Sequence, residues 1–168
     1  KVLRDHQPDY IAAAFDRPEP TFRHQEFEDY KAHRPKAPDE LVSQIIEAHT
    51  LIEKFGIKIL EKPGFEADDI IGTIAEKTKK EKDLQVIILS GDLDMVQLVE
   101  SEKVVVMTLK KGVNDTVFYD EKGAKERFGV GPELLADYKG LVGDPSDNIP
   151  GVKSIGPKTA VRILEEFG

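Results

Sequence analysis

Cysteine and tryptophan are both missing from this chain of 168 residues. Without cysteine there are no disulfides and no thiolate metal sites, and an intracellular, cytoplasmic setting is the natural expectation. Long apolar runs are missing as well. No stretch approaches the length of a membrane span and no secretory leader is visible, so no membrane association is expected. The chain opens on Lys1 rather than methionine, which fits a fragment of a longer protein. Base is scarce relative to acid: 24 Lys and Arg against 32 Asp and Glu give a net charge of −8. Taken alone, that balance argues against the basic footprint of a nucleic-acid binder. Net charge says nothing of where the charges sit, however.

What is present is an alternation of short apolar runs and amphipathic stretches. DYIAAAFD (9–16) suits a short strand buried on both faces. Leu41, Val42, Ile45, Ile46, Ala48, Leu51, Ile52 and Phe55 form a helical stripe. Gly56 stops that helix, and IKIL follows as a strand. Glu66 to Lys79 is predicted helical, with acids in its first turn and lysines at its end, the order that the helix dipole favours. LQVIILS (84–90) reads as a strand, 94–99 as a short helix, VVVMTL (104–109) as another strand, and KKGVNDTVFYD as a turn into an edge strand or hairpin. Strands alternating with helices predict an α/β fold with a mostly parallel sheet covered on both faces. From Asp120 the texture turns helical, with Gly and Pro at the joints, which predicts a core over 1–119 and a helical subdomain over 120–168.

The acids are clustered rather than spread. Asp16 ends the first strand, Glu66, Asp68 and Asp69 open the second helix, Asp92 and Asp94 follow the third strand, and Asp144 and Asp147 lie in GDPSDNIPG. Ligands of open α/β sheets bind at the carboxyl ends of strands, where several of these fall. Each cluster also has an ordinary explanation. Asp92 is a natural helix N-cap, the 66–69 acids complement a helix dipole, and Asp144 and Asp147 suit turns. Brought together, so many like charges repel unless hard cations neutralise them. With no cysteine, oxygen-ligated Mg²⁺ or Mn²⁺ is the fitting ion. Two such ions, roughly 4 Å apart, polarise a phosphodiester and activate water for in-line attack.

Two further stretches point to nucleic acid. In GVKSIGPKTAVRIL, Gly151 and Gly156 permit a tight turn and Pro157 occupies the favoured first position of a helix. Free N–H groups at that helix start, with Lys153, Lys158 and Arg162 nearby, suit a phosphate backbone read without regard to sequence. A plain helix–turn–helix joint is the simpler alternative. The stretch FRHQEFEDYKAHRPKAP interleaves Arg23, His24, Lys31, His33, Arg34 and Lys36 with Phe22, Phe27 and Tyr30. That mixture suits single-stranded or frayed nucleic acid, although a solvated helix face accounts for it equally well.

The ordered set AFD, TFRH, YKAHRP, EADDIIGT, SGDLDMVQLV, GDPSDNIPGV and GPKTA resembles the 5′-nuclease domain of bacterial DNA polymerase I, within the flap endonuclease family. The resemblance runs over essentially the whole chain. It implies a PIN-like 5′-nuclease fold with a helical arch at about 22–40 and a helix-hairpin-helix element over 151–167. It implies Mg²⁺-dependent 5′→3′ exonuclease and flap endonuclease activity on 5′ flaps, nicks and duplex ends of DNA during replication and repair, in a bacterial, nucleoid-associated setting, with a polymerase domain in cis. By position, Asp16, Glu66, Asp68, Asp69, Asp92, Asp94, Asp144 and Asp147 look like the metal-binding acids, with Asp92 and Asp94 between two ions. Lys31 and Arg34 resemble the arch residues that stabilise charge at the scissile phosphate, and Arg23 joins them in binding DNA. Tyr30 is expected to stack on a terminal base. Gly151, Lys153, Ser154, Gly156, Lys158, Thr159 and Arg162 resemble the hairpin that grips duplex, in the family with a bound K⁺.

The departures define the alternatives. The family begins with a further strand and helix; that strand is central in its sheet and carries another metal-binding aspartate, and residues 1–4 resemble the last turn of that helix. Ser154 stands where the hairpin commonly has glycine. A chain without the first aspartate could be a catalytically impaired DNA-binding module of the same descent. A haloacid-dehalogenase-type phosphatase, with Asp92 as nucleophile and Asp94 as acid–base, would leave EADD, GDPSD and the hairpin without a role.

Overall fold

The computed structural model describes residues 2–111 and 115–168, which fall into two packed units, Lys1–Ile71 and Gly72–Gly168. In the first unit, helix α1 (Val2–His6) precedes strand β1 (Ala12–Ala14), helix α2 (Phe22–Glu26), helix α3 (Asp39–Lys54), strand β2 (Lys58–Leu60) and the start of helix α4 (Ala67–Thr78). Strands β1 and β2 pair in parallel, Ala13 opposite Ile59. Parallel neighbours need a long crossover, and α3 is part of it. Gly56 stops α3 as expected: at φ 72° it adopts the left-handed conformation, its N–H donates to Glu53 O at 2.9 Å, and Ile57 N donates to Ile52 O at 3.2 Å. Those paired bonds satisfy the last carbonyls of the helix.

The apolar stripe of α3 forms the expected helix but buries none of its residues. Leu41, Val42, Ile45, Ile46, Leu51 and Phe55 are all exposed, Phe55 at 67%. It packs against the short strand β2, and His49 meets the Phe15 ring, but these together are too small to cover a sixteen-residue helix. The basic and aromatic excursion becomes α2 followed by turns, with Thr21 and His24 closing the first turn of α2 reciprocally: Thr21 N donates to His24 Nδ1 at 3.2 Å.

The second unit carries the best-buried strand. Strand β3 (Val86–Leu89) pairs in parallel with β4 (Val104–Lys111), and β4 pairs antiparallel with β5 (Asp115–Tyr119). Val104 and Val106 are fully buried and Met107 nearly so, which places the core of this unit along β4. β-Branched residues fit such a two-sided environment. The turn expected over 112–114 lies outside the described residues. Between β3 and β4 runs a short 3₁₀ helix (Leu93–Leu98), where the sequence predicted a short helix over 94–99. Helices α5 (Glu121–Phe128) and α6 (Leu135–Val142), the small ribbon β6 (Gly143–Asp144) with β7 (Ile149–Pro150), and α7 (Pro157–Phe167) complete the chain.

The mostly parallel strand pairing expected from the sequence is distributed over three small sheets among the described residues, β1–β2, β3–β4–β5 and β6–β7. Periodicity identifies strands but not their partners. The α/β character holds, since both parallel pairs are joined through helical segments.

In the ribbon, Gly143 (φ 82°) and Gly151 approach so closely that a Cβ on Gly151 would collide with the Val142 and Gly143 backbone. Gly151 is thus needed for close approach as well as for turning. Gly156 has open space around it, and Pro157 opens α7 as predicted. Ser154 sits at φ 68°, where a side chain strains the backbone. Replacing Ser154 by Gly is expected to stabilise the chain by about 1 kcal/mol, whereas Gly151→Ala destabilises it by more than that gain; urea denaturation of both variants beside the parent checks the opposite signs.

Candidate functional site

Each unit gathers carboxylates and sets cationic side chains against them. In the first unit the site is built on the entry to α4. Asp16, just beyond β1, accepts from Ala67 N at 2.6 Å, and Asp69 accepts from Glu66 N at 2.9 Å. Both carboxylates thereby satisfy N–H groups that a helix start leaves without intrahelical partners. Asp68 lies in the same first turn. The arch segment supplies the countercharge. Arg23 makes a two-pronged ion pair with Asp69, both contacts at 2.8 Å, while its guanidinium lies over the Phe22 ring. The bond to Asp69 holds Arg23 more firmly protonated than usual, and the same bond holds Asp69 below the usual carboxylate range.

Glu66 is almost fully buried. Its Oε2 accepts from Lys31 Nζ at 2.9 Å and from the Tyr30 hydroxyl at 3.1 Å. Burial works against the charged form of Lys31, but its bonds to Tyr30 and Glu66 outweigh that and raise its pKa. Lys31 reaches Glu66 from a left-handed backbone, φ 55°, which a lysine adopts only when its surroundings enforce it. Tyr30 is only 5% exposed. Its ring faces Lys31 and meets His24 edge-on, so the surface expected to stack on a base is covered in this structure while the hydroxyl donates to Glu66. Asp16, Arg17, Glu19, His24, Lys31, Arg34 and Glu66 line an open cleft of about 270 Å³. Arg34 is exposed at its edge.

In the second unit Asp92 caps the 3₁₀ turn, accepting from Asp94 N at 2.8 Å. Capping by Asp92 is thus observed, and it leaves the second carboxylate oxygen outside that bond. Asp144, at 8% exposure, is the most enclosed acid here. One oxygen accepts from Ser146 N at 2.9 Å and Ser146 Oγ at 2.6 Å; the other accepts from Lys139 Nζ at 2.7 Å. The same ammonium pairs with Asp94. Burial pushes Asp144 up, but Lys139 and Ser146 outweigh it and bring its pKa down to about 2. At Asp94 burial prevails over Lys139, with Asp92 and Asp144 adding to the upward push. Asp147 follows in the same turn, its N–H donating to Asp144 O at 3.2 Å.

Lys139 is the residue that the sequence reading missed. Its signal was a lone base five positions before Asp144, on the last turn of α6. Lys153, Ser154, Lys158 and Arg162 are all exposed around the start of α7, with Thr159 partly covered. Lys158 and Arg162 share one helix face.

The donor set suits a hard divalent cation: carboxylate oxygens dominate, with no thiolate and no imidazole among them. Among the described residues no three His, Asp or Glu side chains converge as an ion's ligands would. Ammonium and guanidinium groups pair with Glu66, Asp69, Asp94 and Asp144 instead.

Comparison with known proteins assigns the family. Residues 1–129 match the model of the 5′-3′ exonuclease N-terminal resolvase-like domain, and residues 130–168 match that of the 5′-3′ exonuclease C-terminal SAM fold. The chain is 42% identical over 167 residues to DNA polymerase I of Bacillus subtilis, covering 99% of this chain and 19% of that protein. It is 44% identical to the 5′-3′ exonuclease of Aquifex aeolicus, with 99% and 56% covered. It therefore spans about a fifth of the polymerase and about half of the exonuclease. Among solved structures, the T5 5′-exonuclease with bound zinc superposes with a TM-score of 0.83 at 23% identity, covering 99% of this chain and 64% of the other, a likeness of fold. T5 D15 protein co-crystallised with metal ions gives 0.82 at 25%, with 99% and 65% covered. A phosphatase using Asp92 as nucleophile has no support in these relationships.

The low pKa of Asp144 has a testable consequence. Its carboxylate is held at about 2 against an ordinary 3.8, so its stabilisation is complete above 3.8 and is lost as pH falls through about 2. In chelator, Asp144→Asn is expected to remove about 2 kcal/mol of stability at neutral pH and to flatten the acid limb of the urea midpoint between those pH values. With two family models spanning the chain and relatives 42% and 44% identical to it, the chain belongs to the 5′-3′ exonuclease family.

Proposed function

We propose that the chain is the nuclease portion of a longer protein, with a polymerase domain in cis, and that it hydrolyses phosphodiesters in DNA bearing 5′ flaps, nicks or ends. The observation that carries this reading is the pairing of enclosed carboxylates with lysine ammonium groups in both units, in a chain of this family. Asp16, Glu66, Asp68 and Asp69 in the first unit, and Asp92, Asp94, Asp144 and Asp147 in the second, are the proposed ligands of two Mg²⁺ or Mn²⁺ ions. Bound there, the ions would polarise the phosphodiester and lower the pKa of an attacking water.

The chain's own residues do the remaining work. Lys31 and Arg34 present positive charge at the cleft and stabilise the phosphate as its charge grows. Tyr30 and the strained backbone at Lys31 fix Glu66 and the lysine stem. Gly151, Lys153, Ser154, Gly156, Lys158, Thr159 and Arg162 hold duplex DNA through its backbone, K⁺ adding to that grip; the contacts carry no base identity. Arg23 serves the site through Asp69.

A labelled 5′-flap DNA incubated with and without Mg²⁺ tests the reading. Cutting near the junction is expected only with metal, and is expected to vanish in Asp92→Ala. Lys31→Ala should lower the cleavage rate by about 100-fold with little loss of DNA binding. DNA binding without cutting, in any divalent metal, would favour a catalytically impaired binding module instead.

A further inference from the structure

Lys139 touches neither solvent alone nor a single acid. Its ammonium pairs with Asp94 and, at 2.7 Å, with Asp144. Asp92 adds a third negative charge beside Asp94. Such a group of carboxylates separates by repulsion unless a cation sits among them. A lysine is a suitable temporary cation, being a point charge on a flexible four-carbon stem. Its side chain here is partly exposed, 28%, and so has an open path to solvent. Asp144 is held independently through its other oxygen by Ser146, whereas the Asp94 carboxylate has the lysine as its ion-pair partner. Removal of the ammonium therefore leaves Asp144 in place and frees Asp94 to move.

We infer that Lys139 is a built-in stand-in for a divalent cation: it holds Asp94 and Asp144 together in the metal-free protein and is displaced when the ion binds. The inference rests on the metal reading proposed above. A divalent ion carries twice the charge and draws carboxylate oxygens closer than an ammonium does, so it wins the competition at sufficient concentration. The lysine keeps the acids gathered beforehand and sets how much metal is needed.

The test measures Mn²⁺ binding by calorimetry for the full chain, for Lys139→Met and for Lys139→Arg. It also measures thermal midpoints in chelator and in Mn²⁺, and acylation of Lys139 in the unsubstituted chain by mass spectrometry. Lys139→Met is expected to melt about 3 °C lower in chelator, to recover in Mn²⁺, and to bind one Mn²⁺ about tenfold more tightly. Lys139→Arg should keep the parent's midpoint in chelator. In the unsubstituted chain, saturating Mn²⁺ should raise acylation of Lys139 several-fold, a readout that stands even if the methionine variant fails to fold. Equal Mn²⁺ affinity in parent and variant, with acylation unchanged by bound metal, overturns the inference and leaves the metal reading intact. A midpoint loss that Mn²⁺ does not restore, with affinity unchanged, makes Lys139 a purely structural partner and also overturns it. Absence of Mn²⁺ binding by the parent chain removes the metal reading itself, and this inference with it.

Discussion

Mutual repulsion among enclosed carboxylates is the constraint on which the described arrangement depends. Glu66 and Asp144 are both nearly buried, and Asp144 adds to the negative charge around Asp94. An uncompensated charge at that depth would shift its pKa or force the local structure open. The fold answers with cations drawn from its own chain, Arg23 and Lys31 in one unit and Lys139 in the other. Helix-start N–H groups and the Ser146 hydroxyl take up further lone pairs. The enclosed carboxylates are thus neutralised within the chain itself, by its own cations and hydrogen-bond donors.

The carboxylates were legible in the sequence because each sits at a junction that periodicity and turn chemistry reveal. Asp16 follows an apolar run, Asp68 and Asp69 open a helical pattern, and Asp92 precedes a capped turn. The ordinary reading is the one observed for two of them: Asp92 caps, as does Asp16 from a distance, and capping occupies only part of a carboxylate. Lys139 was not legible. Its importance comes from reaching two acids brought to it by separate turns of chain, a tertiary fact with no local signature. The burial of Tyr30 was not legible either, since an aromatic among bases gives no local sign that its ring packs against its own chain.

The fold divides in the same way. Helix boundaries followed from charge order and glycine stops, as at Gly56. Strand pairing did not follow, because three to five apolar residues specify extended backbone without naming a neighbour. The stripe on α3 illustrates the limit: amphipathicity made the helix recognisable, but burial required a surface that the short strand β2 does not supply.

The glycine pair of the β6–β7 ribbon gives the hairpin a mechanical character. At Gly143 and Gly151 main chain rests directly on main chain, with no deformable side chain between them, and Asp144 is the next residue along. A side-chain contact absorbs a small shove by changing rotamer; a backbone contact has no such slack. The residue beside Asp144 is thus held to Gly151 by main chain alone, and a side chain added at either glycine would have to part the ribbon.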